Sequence, residues 1–103
     1  IIGPTIQQHS YEIGNDLAIK IECTTEYKSK NNILLEKSKK CFFNLPLFIK
    51  HKLNLNKINN ISDVEIDTYL NKNFFSYRRT AQNRKSDRLK KETGRQVSVI
   101  GLK

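Results

Sequence analysis

The chain has 103 residues, room for one domain with a modest core. Apolar residues make up 37% and charged residues 28% of it, which excludes a disordered composition, and no run of about 18 apolar residues or signal-peptide pattern points to a membrane. The net charge of +9 is unevenly spread: residues 1–46 carry +1 (six Lys, five acids), residues 47–73 +1 (four Lys, three acids) and residues 74–103 +7 (nine Lys/Arg, two acids). A surplus confined to one segment is a directed surface feature, suited to phosphate or another polyanion.

In chain order, Gly3-Pro4 reads as a turn after a short lead-in. Tyr11-Glu12-Ile13 and the alternating stretch from Leu17 to Lys28 read as two strands joined by a hairpin turn at Gly14-Asn15-Asp16. After a turn at Asn31-Asn32, Ile33 to Phe43 fits a long strand with a polar middle or a short strand and a loop, and the favoured reading is a strand ending in Cys41-Phe42-Phe43. Leu45-Pro46 then opens a helix of about three turns, with Asn44 as its cap and Leu47, Phe48, Leu55 and Ile58 as its anchors. Ser62-Asp63-Val64-Glu65 matches a capping box and predicts a second helix over 62–71.

Phe74 to Arg95 holds all five arginines, at 78, 79, 84, 88 and 95. It reads as one polar helix stopped by Gly94. On a helical wheel Arg78, Arg84, Lys85, Arg88 and Lys91 share one arc, opposite a thin seam of Phe75, Gln82, Ser86 and Leu89. Gln96 to Leu102 alternates and reads as a closing strand. The expected fold is α+β: a single domain over 1–103, β-rich over 10–43, helical over 45–93, with a strand at 96–102.

Arginine's planar fork suits phosphate, so Arg78, Arg79, Arg84, Lys85, Arg88 and Lys91 are the expected nucleic-acid contacts. Phe75 and Tyr77 could stack on unpaired bases, which favours RNA over DNA. His9 and His51 are the only histidines, and with Tyr77 and Thr80 they are the catalytic candidates for a metal-independent cleavage by the 2′-hydroxyl. The leading reading is therefore a small ribonuclease of toxin type, active in the cytoplasm on RNA or tRNA, needing no cofactor and answered by an acidic inhibitor protein. The rival is a helix-turn-helix DNA-binding regulator built on helices 62–71 and 75–93. A third reading lays the cationic helix on an anionic membrane surface, against which its thin apolar seam argues.

Cys23 and Cys41 read as two buried free thiols, with a single disulfide as the alternative, and their spacing is not that of a metal site. Glu26-x-Lys28 with Asp16 has the look of a metal-dependent nuclease pattern, but an unbroken strand would hold the two acids about 30 Å apart. The first residue is Ile1, which reads as a trimmed chain or as a module of a longer or secreted polypeptide.

Overall fold

The computed structural model describes residues 1–23, 32–83 and 94–101. Their elements run in the order 3-10 turn Gln8–Ser10, β1 Glu12–Ile13, α1 Asn15–Glu22, β2 Leu34–Lys37, β3 Lys40–Phe43, α2 Leu45–Leu55 and α3 Tyr77–Asn83. Three antiparallel strands and three α-helices among the described residues make the fold α+β, as composition and patterning suggest. The sheet order is β1-β3-β2, with Ile13 opposite Cys41 and Leu35 opposite Phe42.

The longest expected strand is a helix. Leu17 and Ile21 lie four apart, a spacing that a period of two and a period of 3.6 share, so alternation alone does not separate the two. The core decides: Ala18 and Ile21 are buried together, while Leu17 and Ile19, the other members of the alternating set, are 41% and 57% exposed. Gly14 is the N-cap and Asp16 lies in the first turn, so the three residues expected to turn a hairpin start α1 instead. The remainder of that expected strand, residues 24–28, lies outside the described residues, as does Asn31.

The stretch Ile33 to Phe43 is a hairpin. Ser38 and Lys39 have φ of 53° and 63°, the pair of positive values a two-residue turn requires to match the twist of its strands. The polar middle of the stretch is thus the turn, and β3 ends at Phe43, where the sequence reading placed the strand end. One face of this hairpin carries the core of Ile13, Ala18, Ile21, Ile33, Cys41 and Phe43, with Tyr11, Leu34, Leu45, Leu47 and Phe48 packed against it. Phe43 is the hub, with ring centroids 5.6 Å from Tyr11 and 5.4 Å from Phe48. Both cysteines are free; Cys41 is buried as expected, but Cys23 is exposed at the end of α1.

The start of α2 follows its local signals. The Asn44 side chain accepts a hydrogen bond from the Leu47 N–H at 3.0 Å, and Pro46 occupies the first turn, where no amide hydrogen is needed. Leu47 and Phe48 reach the core, whereas Leu55 and Ile58 are exposed and the helix stops at Leu55.

The capping box, by contrast, starts no helix. The segment 62–68 runs parallel to residues 2–5, with bridges Ile2–Asp63 and Thr5–Asp67. Ile2 N–H donates to the Ser62 carbonyl at 2.7 Å, Val64 N–H to Ile2 at 3.1 Å, Thr5 N–H to Ile66 at 3.1 Å and Thr68 N–H to Thr5 at 3.2 Å. Asp63 Oδ1 accepts from the Glu65 amide at 2.9 Å, Asp67 Oδ1 accepts from the Tyr69 amide at 2.9 Å, and Glu65 takes a φ of 54°. Aspartates that cap their own second neighbour compete with the helical ladder, and a distant strand supplies the remaining partners. With the first helix gone, the helix-turn-helix layout goes too.

Residues 94–101 carry no strand pairing, although Gln96 Nε2 reaches the Pro4 carbonyl at 3.5 Å. Val97, Val99 and Ile100 are 85%, 91% and 92% exposed. The alternation is present, but a strand also needs a neighbouring ladder, and 2–5 already gives its hydrogen bonds to 62–68.

Candidate functional site

The cationic stretch divides in the structure. Arg84, Lys85, Arg88 and Lys91, four of the six expected nucleic-acid contacts, lie outside the described residues, as do Ser86 and Leu89. Arg78 and Arg79 open α3 side by side and do different work.

Arg79 is a structural knot. Its Nη1 donates to the carbonyls of Thr68 at 2.8 Å, Tyr69 at 3.0 Å and Asn71 at 3.3 Å, and its Nη2 donates to Phe74 at 2.5 Å. The loop 68–74 has few amide partners of its own for these oxygens, and a planar fork with five N–H groups can serve several at once. Around it, Ser10 Oγ donates to Asp67 Oδ2 at 2.6 Å, Tyr69 Oη pairs with Gln82 Oε1, and Ser76 Oγ accepts from the Arg79 amide at 3.3 Å. An arginine so engaged, expected from the sequence as a nucleic-acid contact, holds the loop.

Arg78 points the other way. Its Nη1 donates to the Glu12 carbonyl at 3.0 Å, and its guanidinium lies 5.4 Å from the centre of the Tyr11 ring, within cation–π range. Tyr11 in turn contacts Phe43, so Arg78 is braced on the core. Among the described residues the side-chain ion pairs are Lys40–Glu12 at 3.6 Å and Lys50–Asp63 at 3.7 Å, and neither involves Arg78.

Beside Arg78 opens a groove of about 310 Å³, lined by Pro4, Thr5, Ile6, Tyr11, Thr68, Phe75, Ser76, Tyr77, Arg78 and Gln96. Four separate segments build it: the N-terminal ribbon, the residue before β1, the 68–78 turn and the 94–101 strip. Three aromatic rings flank one guanidinium, two buried hydroxyl residues (Thr68 and Ser76) and one amide. Gly94 belongs to this architecture. A Cβ built there would overlap three atoms of the Phe75 ring, and no described glycine has a positive φ, so Gly94 serves by lacking a side chain where Phe75 lies and not as a left-handed helix stop.

Of the expected catalytic residues, only Tyr77 lines the groove. Thr80 donates from Oγ1 to the carbonyl of Ser76, the residue before α3, at 3.0 Å. His9 lies exposed in the 3-10 turn and His51 is half-buried in α2; neither borders the groove. Sequence reasoning singled out Tyr77, Arg78 and Phe75 but missed Tyr11, Thr68, Ser76 and Gln96. Separation along the chain hides Tyr11, Thr68 and Gln96, whereas Ser76 lies inside FFSYRR, the cluster whose density signalled the region.

The donors for a soft or borderline metal are few. The sequence holds two His, two Cys and no Met, four imidazole or thiol donors in all. Among the described residues no three His, Cys, Asp or Glu side chains gather where they could hold an ion. An imidazole–thiolate copper centre uses two His and one Cys for a single ion, so a centre with several coppers exceeds what this chain supplies.

The comparisons redirect the functional reading. No curated protein and no solved structure matches the chain. A protein-family model does, along residues 1–103, and its description is multi-copper polyphenol oxidoreductase laccase. That finding overturns the toxin ribonuclease and, with it, the DNA-binding regulator; of the arginines that suggested phosphate recognition, Arg79 ties a loop and Arg78 lines a groove. The chain belongs to the multi-copper polyphenol oxidoreductase laccase family.

Proposed function

We propose that this chain acts in an oxidoreductase of polyphenols and that the groove beside Arg78 is where the aromatic ring of the substrate lies. The observation that carries the reading is the groove wall itself, Tyr11, Phe75 and Tyr77 around an opening of about 310 Å³. That volume is at the small end of ligand pockets and suits a molecule of one or two rings. Aromatic side chains hold a flat ring by offset or edge contacts, and the buried Thr68 and Ser76 with Gln96 offer polar groups to orient phenolic hydroxyls.

The copper in the family's description does not fit the donors of this chain, which has two His, two Cys and no Met. The work of the residues present is to bind and orient the ring. The test is calorimetric titration of the protein with catechol, beside quinone formation in air with and without added copper(II). Catechol should bind, and Tyr77→Ala and Phe75→Ala should each weaken binding about tenfold by removing a ring contact. Absence of catechol binding, or equal binding by both variants, would sink the reading.

A further inference from the structure

We infer that the groove selects ring substrates carrying an acidic group, a carboxylate or a phosphate, and that Arg78 is the residue that receives it. The inference deepens the polyphenol reading and rests on it, since it concerns the same groove.

Three observations on Arg78 lead there. First, its guanidinium is held in place: one N–H is bound to the Glu12 carbonyl at 3.0 Å and the plane lies over Tyr11 at 5.4 Å. An arginine fixed by backbone and ring has already lost much of its rotational freedom, so a ligand that binds it meets a smaller entropic cost. Second, the positive charge meets no carboxylate among the described residues. Glu12 is paired with Lys40, and Asp67 accepts from Ser10 Oγ and from the Tyr69 amide. Asp87 lies outside the described residues. Third, the guanidinium borders the cavity and does not face open solvent alone, with Thr68, Ser76 and Gln96 on the same wall. Hydrogen bonds between a guanidinium and an oxyanion are shorter and about twice as strong as neutral ones, and a fork can grip two oxygens at once. Neighbouring Arg79 makes the contrast plain, because its donors are spent on four carbonyls.

The combination defines a ligand class: a planar ring against Tyr11, Phe75 and Tyr77, with an oxyanion at the Arg78 end. A neutral polyphenol satisfies the rings and brings no counter-charge to the guanidinium. A phenolic acid or an aromatic phosphate satisfies both.

The experiment is a calorimetric comparison on the whole chain at low salt, using 4-hydroxybenzoate, phenyl phosphate, neutral 4-hydroxybenzamide and catechol as probes. The acids should bind about ten- to hundredfold more tightly than the amide, the range of one charge-assisted contact. The carboxylate and phosphate arms tell which oxyanion fits better. Arg78→Gln should bring the acids down to the level of the amide. Arg78→Lys, which keeps the charge but loses the fork and the ring contact, should retain part of the preference; thermal melts confirm that each variant is folded. Equal affinity for acid and amide in the parent protein overturns the inference, as does an undiminished preference in Arg78→Gln. If catechol still binds in those cases, the polyphenol reading stands alone; if no probe binds, both fall.

Discussion

Arg79→Ala should be among the most damaging single substitutions in this chain. In the structure four carbonyl oxygens converge on its guanidinium, three of them at 3.0 Å or less. A hydrogen bond to a charged group contributes about 1.5–3 kcal/mol net when buried. Arg79 is half-buried, so water can reach some of the stranded carbonyls, and the three short bonds together are worth about 2–4 kcal/mol after that discount. Set against a total stability of about 5–15 kcal/mol, that is a large share. For a domain of this length it corresponds to a fall in Tm of roughly 10–25 °C. Urea unfolding followed by far-ultraviolet circular dichroism gives the measurement, since the chain has no Trp. Arg79→Lys should fall between the two, because an ammonium has three donors on a point charge and no planar fork. If Arg79→Ala unfolds within about 0.5 kcal/mol of the parent, the range of ordinary surface substitutions, then the loop 68–74 does not depend on this guanidinium.

Two further predictions concern the cysteines and the groove wall. Burial pushes the Cys41 thiol above its ordinary value of 9.0, with Glu36 and then Glu22 adding to the shift. The folded state therefore holds that proton more tightly than the unfolded one, so the contribution is whole below about pH 9 and declines as pH rises through the folded value. The stability difference between the parent and Cys41→Ala should stay flat from about pH 7 to 8.5 and shrink above it, while iodoacetamide labels exposed Cys23 at once and Cys41 only on unfolding; early labelling of Cys41 would contradict the packing. Gly94→Ala should force the Phe75 ring aside. That ring is 56% exposed and can move, so stability should change by less than about 1 kcal/mol while catechol binding weakens, and unchanged binding would show that Phe75 is no part of the wall.

The parts of the fold readable in advance are those whose cause is local. Asn44 capping a helix that begins with Leu45-Pro46 needs only its neighbours, and it forms as expected. Cys41-Phe42-Phe43 ends a strand as expected, while the turn at Ser38-Lys39 before it appears only in the structure. The misreadings share the opposite property. Leu17 to Glu22 fits a strand and a helix equally in sequence, and the burial of Ala18 and Ile21 against the sheet selects the helix. The capping box at Ser62 is locally sound, but its amides and carbonyls are claimed by residues 2–5, some sixty positions earlier. Even Arg78 and Arg79, adjacent and alike in sequence, diverge because one faces a loop of carbonyls and the other a ring and a cavity.

By itself the sequence determined the α+β class, the concentration of positive charge after residue 73, the α2 start and the cluster FFSYRR as a place of importance. These follow from composition and from interactions a few residues long. Only the tertiary structure decided what that cluster does, by folding the N-terminal ribbon against 62–68 and laying Gln96 beside Pro4. A groove drawn from four distant segments has no signature along the chain, because the contacts that make it are between residues whose separation the sequence does not encode.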